Sequence, residues 1–234
     1  MKKIVAAIVS AMFCLGMLSA LDISVGARGN VNFGVGSKAC GYDSADKNSG
    51  NVGGGFGIYA DFGLLKLGSG KLGIQPEFDV NFNNGAAVNY TNSVNTILLK
   101  SSTAIEVTRS ASSIDIPVIV TYNMNLAKSW KFGLGAGIFV SFPFDGKWTS
   151  TTTTTMNGKS STDPSDGAYK LNGANFGMVF DVNAGYKLGP GFIVADLRYM
   201  FDFANTRNLS DNGDPTDLFS RGLLNLGAGY ELKF

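Results

Sequence analysis

The chain contains no histidine, and that absence narrows its chemistry before anything else is read. Without imidazole there is no Ser-His or Cys-His nucleophile pair and no histidine metal ligand. Cysteine is scarce, with two residues in 234. Cys14 lies in an apolar leader, so Cys40 would stand alone in a processed chain and no internal disulfide is expected. Charge is sparse and balanced: 19 Lys+Arg against 18 Asp+Glu leave a formal +1, with no basic cluster for a nucleic acid. Beyond the first twenty positions no apolar run is long enough for a membrane-spanning helix. We therefore expect no enzyme, no catalytic residue, no cofactor and no metal site.

What is there begins with a leader. Lys2 and Lys3 precede an uncharged apolar stretch over 4–18, and Ser19-Ala20 supply small residues at its end. This reads as a signal peptide, 1–20, followed by a single domain, 21–234. Phe13 stands before Cys14, where a lipoprotein signal needs a small residue, so ordinary cleavage is expected.

From Leu21 onward the sequence alternates with period two, the signature of strands with one apolar face. Eight segments carry it, on alternate residues of 23–35, 52–64, 72–82, 114–124, 130–144, 176–188, 193–203 and 224–234. No position on these eight faces is charged. Two closed barrels fit eight such strands: a soluble one with the apolar face inward, and a membrane one with it outward toward lipid. Volume decides between them. An eight-strand barrel holds little more than its own side chains, yet the apolar face is crowded with Phe, Tyr, Trp and Leu. The opposite face carries Gly53, Gly55, Gly57, Gly133, Gly135, Gly137, Gly227 and Gly229, which suit a narrow interior.

The connections agree with the membrane reading. Long stretches at 37–51, 83–113, 145–175 and 204–223 alternate with short ones at 65–71, 125–129 and 189–192, the pattern of long extracellular loops and short periplasmic turns. Aromatic residues gather at both ends of the apolar faces, as interfacial girdles do. Pro76, Pro117 and Pro143 fall within strands of a barrel that has no free edge, so bulges are expected there.

The last strand, Gly227-Ala228-Gly229-Tyr230-Glu231-Leu232-Lys233-Phe234, resembles the C-terminal assembly signal of bacterial outer-membrane barrels. Gly227, Tyr230, Leu232 and Phe234 carry that likeness. With the leader and the eight segments, the chain resembles the OmpA-, OmpX- and OmpW-like eight-stranded antiparallel barrels. The resemblance implies residence in the outer membrane after export, contact with its lipid, and insertion by the barrel-assembly machinery.

Two groups of inward residues stand out. Arg28, Asp61, Glu77, Asp79, Lys131, Asp181, Asp196, Arg198 and Glu231 point into the lumen. Buried charges must pair, so we read them as a salt-bridge plug rather than an ion-conducting gate. Nearer the outer mouth, Ile119, Phe139, Pro143, Val179, Met200 and Leu223, with Pro117 beside them, form an apolar inner wall. Such a pocket above a polar floor suits an amphiphilic guest.

The leading functional expectation is thus an OmpW-like passage or binding barrel for small apolar or amphiphilic solutes. An OmpX-like surface protein, whose loops meet a host or matrix ligand, is the alternative. A purely structural OmpA-like role is third, weakened because Phe234 ends the chain without a cell-wall domain. Among the loops, 149–155 is Thr-rich, 97–99 and 105–107 could extend a hairpin, and the acidic run 211–217 lacks the ligand spacing of a calcium loop.

Overall fold

The computed structural model describes residues 22–35, 38–39, 47–95, 100–169, 174–203, 206–207, 218–220 and 222–234. The leader 1–20, Cys40, 97–99 and 211–217 lie outside the described residues. Thirteen strands are described: β1 Asp22–Gly34, β2 Lys38–Ala39, β3 Lys47–Gly50, β4 Val52–Leu67, β5 Gly70–Asn95, β6 Lys100–Asn125, β7 Trp130–Met156, β8 Lys159–Tyr169, β9 Asn175–Leu188, β10 Gly191–Asp202, β11 Thr206–Arg207, β12 Leu218–Ser220 and β13 Gly222–Lys233. Eight of them, β1, β4, β5, β6, β7, β9, β10 and β13, form an all-β, antiparallel ring closed by the β1–β13 pairing. The short β2, β11 and β12 form a separate three-stranded sheet.

The register fixes the barrel's shape. Following partners from Ile23 leads through Phe62, Ile74, Val120, Ala136, Phe180, Tyr199 and Leu224, and returns to β1 at Phe33, ten residues further along. A shear of that size over eight strands tilts them by roughly 40° and leaves an interior wide enough for side chains alone.

Every residue on that path faces outward, and the outward face is the apolar one. Ile58, Val120, Leu134, Ile138, Ile193, Leu197 and Leu226 are all exposed, a belt that only lipid can cover. Aromatics border it. At the periplasmic end Trp130 meets Tyr186 edge to face at 5.0 Å, and the Tyr122 and Tyr230 hydroxyls donate to the carbonyls of Leu67 and Leu188. At the outer end Phe201 stacks on Phe180 and contacts Tyr199 and Phe203, while Phe56 meets Phe82.

Two expectations are corrected. The prolines do not mark bulges. The register shifts fall at Gly63/Leu65, Asn81/Asn84 and Ser110/Ser112, near the ends of the wall, with Asn83 (φ 55°) and Asp145 (φ 51°) in left-handed conformations beside the latter two. At Pro76 the ladder between β4 and β5 skips 60–61 and 75–76, and at Pro117 that between β5 and β6 skips 77–78 and 116–117; both resume in unchanged register, while Pro143 stays paired with Ser113. A missing donor interrupts a ladder without requiring an extra residue.

Nor are 83–113 and 145–175 mainly loops. The strands β5, β6 and β7 continue far past the lipid belt, paired out to Asn95–Lys100, Ser101–Met156 and Met156–Lys159. From Phe144 to Met156 that extension is about 40 Å at the usual rise per residue. The β7–β8 turn is Asn157-Gly158, both in the left-handed region (φ 49° and 80°), the turn type that matches hairpin twist.

Candidate functional site

The inward face of the ring is organised in three levels. At mid-depth, Arg28 on β1 and Arg198 on β10 converge on Glu77 of β5. Arg28 Nη2 lies 2.8 Å and Arg198 Nη1 2.5 Å from Glu77 Oε2, and each guanidinium also donates to Oε1. Asp79 receives Arg28 Nη2 at 2.9 Å and Arg198 Nη1 at 3.4 Å; Asp181 receives Arg198 Nε at 3.3 Å. Asp196 lies 3.7 Å from Arg28 Nε, and Gln75 donates to Glu77 at 2.6 Å. Glycine makes the room: a Cβ on Gly57 or Gly227 would overlap the carboxylate of Asp79 or Asp196. The planar guanidinium forks satisfy several carboxylate oxygens at once, which offsets the several kcal/mol that each ion loses on leaving water.

Below this cluster, Lys131 Nζ pairs with Glu231 at 2.5 Å, and the Tyr59 hydroxyl donates to the same carboxylate at 3.1 Å. Asp61 accepts from Thr121 Oγ1 and Asn123 Nδ2 at 3.1 and 2.6 Å. The nine charges predicted to line the lumen therefore fall into two groups: Arg28, Glu77, Asp79, Asp181, Asp196 and Arg198 together, and Asp61, Lys131 and Glu231 beneath them. Facing positions on a barrel this narrow leave no wider separation.

The upper level is split. On one side Ile119, Phe139, Val179, Met200 and Leu223 pack into a cluster with at most 1% exposure. Pro117 is buried, whereas Pro143 is half-exposed and outside that cluster. On the other side runs a chain of amides that the reading for charge overlooked. Asn32 donates to Asn81 and Asn84 at 2.8 and 3.1 Å, Asn81 donates to Asp115 at 2.7 Å, and Asn30 donates to Asn32. Asp115 is fully buried and also receives the Ser113 hydroxyl at 3.1 Å. The signal was present for most of it: Asn30, Asn32, Asn81, Ser113 and Asp115 hold the inward phase of the same alternation that placed Arg28 and Glu77, whereas Asn84 turns inward only after the bulge between Asn81 and Asn84.

At the end of the chain, Gly227 admits Asp196, Tyr230 caps the β9–β10 turn, and Leu232 faces outward. The Phe234 backbone N–H donates to the Ile23 carbonyl at 2.9 Å, and its ring is largely exposed.

A closed ring of eight antiparallel strands, apolar outside and polar inside, defines an integral outer-membrane barrel. A family model described as "Outer membrane protein beta-barrel domain" matches residues 17–208, and the chain belongs to that family. Among solved structures, it is similar to Neisserial surface protein A (13% identity, 91% of this chain and 97% of that one, TM-score 0.42). It is also similar to OprG from Pseudomonas aeruginosa (11%, 91% and 96%, TM-score 0.47) and to Ail from Yersinia pestis in complex with the heparin analogue sucrose octasulfate (15%, 91% and 97%, TM-score 0.32). No curated protein matches the chain. It is an outer-membrane β-barrel protein.

Proposed function

We propose that this barrel is a surface-interaction protein that binds a host or matrix partner through the sheet it raises outside the cell. One observation carries the reading. Strands β3, β5, β6, β7 and β8 stay hydrogen-bonded beyond the lipid belt as one continuous polar sheet. Conduction does not need such an elevation, whereas display does.

The exposed part of that sheet is rich in hydroxyls. Thr155 and Ser160 face each other at 2.8 Å, and Thr153 and Thr162 at 3.4 Å, across the β7–β8 pair. Within it Trp148 is half-buried against Gly167, where its indole occupies the space a Cβ would take. A rigid aromatic in a polar field is the kind of anchor on which interface energy concentrates. The buried ion cluster and the packed apolar group beneath support a lumen closed along its axis, which weighs against simple diffusion through it.

The test is binding of whole cells to matrix-coated surfaces. Shortening the β7–β8 hairpin, or replacing Trp148 with Ala, should abolish adhesion while the barrel still assembles. Adhesion unchanged in both variants would overturn the reading.

The passage for amphiphilic solutes is the second reading, favoured by one feature. The β5–β6 ladder is interrupted at Pro117, two residues from Ile119 of the apolar cluster and paired with Phe139 on β7, so one of the weakened stretches of wall adjoins the apolar part of the lumen. A guest admitted from above would leave sideways there. Insertion by the barrel-assembly machinery, read from Gly227, Tyr230, Leu232 and Phe234, belongs with these proposals and is supported by the alternating apolar ending.

A further inference from the structure

We propose that the lower lumen holds one small hard cation, of the sodium or potassium class, on the side-chain oxygens of Asn123 and Asn183. This site is independent of the extracellular sheet and lies at the other end of the molecule.

Asn123 on β6 and Asn183 on β9 are the two register partners of Gly133 on β7. A Cβ added to Gly133 would stand 2.5 Å from each Oδ1 and 2.7 Å from Asn183 Nδ2, so the bare glycine lets both amides lie close to one another over β7. Their orientation is fixed by what the nitrogens do. Asn123 Nδ2 donates to Asp61 at 2.6 Å, and Asn183 Nδ2 donates to Asp181 at 2.9 Å. Turning either amide over would set its oxygen against a carboxylate. Asn183 Oδ1 is left with no hydrogen-bond partner although the residue is only 9% exposed. A buried acceptor left in this way is costly unless something fills the space before it.

Both amides line a cavity of about 20 Å³, room for one ion or one water. Its charged walls are Asp61, Asp181, Asp196 and Glu231 against Arg28 and Lys131, a formal excess of two negative charges. A water would satisfy the orphaned Asn183 oxygen and leave that excess in place; a monovalent cation satisfies the oxygen and halves the excess. The two ligands are neutral amides, and no group of three acidic side chains at metal-binding spacing occurs among the described residues. That donor set suits a monovalent ion rather than a divalent or transition metal. Asp61, Asn123, Lys131 and Glu231 also line a wider vestibule of about 270 Å³ at the periplasmic mouth, which gives the ion a way in. The Arg28–Glu77–Arg198 cluster closes the way onward, so the ion is resident and not conducted.

The experiment is urea unfolding of the full barrel refolded in vesicles, at equal ionic strength in sodium, potassium or choline chloride. A ligand that binds only the folded state raises the midpoint. The midpoint in sodium or potassium should exceed that in choline, and the gap should widen as the small cation replaces choline. Asn183→Ala and Gly133→Ala should each erase the gap. Equal wild-type midpoints in all three salts would overturn the proposal and assign the cavity to water. A gap retained in both variants would overturn the assignment to these oxygens. If neither variant folds, the wild-type series still decides.

Discussion

Arg198 Nη1 stands 2.5 Å from Glu77 Oε2, and neither side chain is more than 2% exposed. The two residues sit on β10 and β5, opposite walls of the ring, so this pair with Arg28 ties the barrel across its diameter. Removing one partner strands a buried charge. Glu77→Gln or Arg198→Met should each lower stability by about 3–5 kcal/mol, as is usual for a broken buried pair. The double variant should cost less than the sum of the two. Urea titration in vesicles measures all three, and strictly additive losses would contradict the coupling.

Val120 and Leu134 lie on the lipid face at mid-belt. Arg at either position should cost roughly 2–4 kcal/mol and impair insertion. Normal folding of both variants would mean that the faces are reversed.

The Asn157-Gly158 turn stands at the far end of the β7–β8 hairpin. An epitope tag inserted after Asn157 should be reachable by antibody on intact cells. Labelling only after permeabilisation would invert the topology.

Phe139 is 1% exposed within the apolar cluster. If amphiphiles use the upper lumen, Phe139→Asp should weaken binding of detergent-sized ligands to the refolded barrel without unfolding it. Absence of such binding in the wild type would leave the surface sheet as the working part of the molecule.

The barrel itself was readable in the sequence because burial in lipid imposes one rule on every second residue. Ile58, Val120 and Leu226 obey it, and their inward neighbours include Gly57, Thr121 and Gly227. The charges followed from the same phase, so Arg28, Glu77 and Arg198 could be placed in one lumen before their contacts were seen.

The extracellular strands were not readable in this way. Over 145–156 and 159–169 no lipid or core demands an apolar face, so hydroxyl-rich strands look like loop. The one local signal was Asn157-Gly158, the dipeptide of a tight hairpin. Asn30, Asn32 and Asn81 escaped because Asn carries no charge, although a buried amide needs partners as strictly as an ion does, and Asn84 escaped because the bulge beside it shifts the alternation. Bulges were expected at proline, but a closed ring can lose a donor and keep its count. The extra residues went to the rims, where β5 and β7 leave the barrel at Asn83 and Asp145.

A plugged lumen beneath a functional outer sheet conducts no ions. Planar-bilayer recording of the refolded barrel at neutral pH tests it most directly. The ion cluster and the packed Phe139 group predict a baseline without unitary steps, with or without amphiphilic solute. Steady single-channel currents through the wild-type protein would contradict the account.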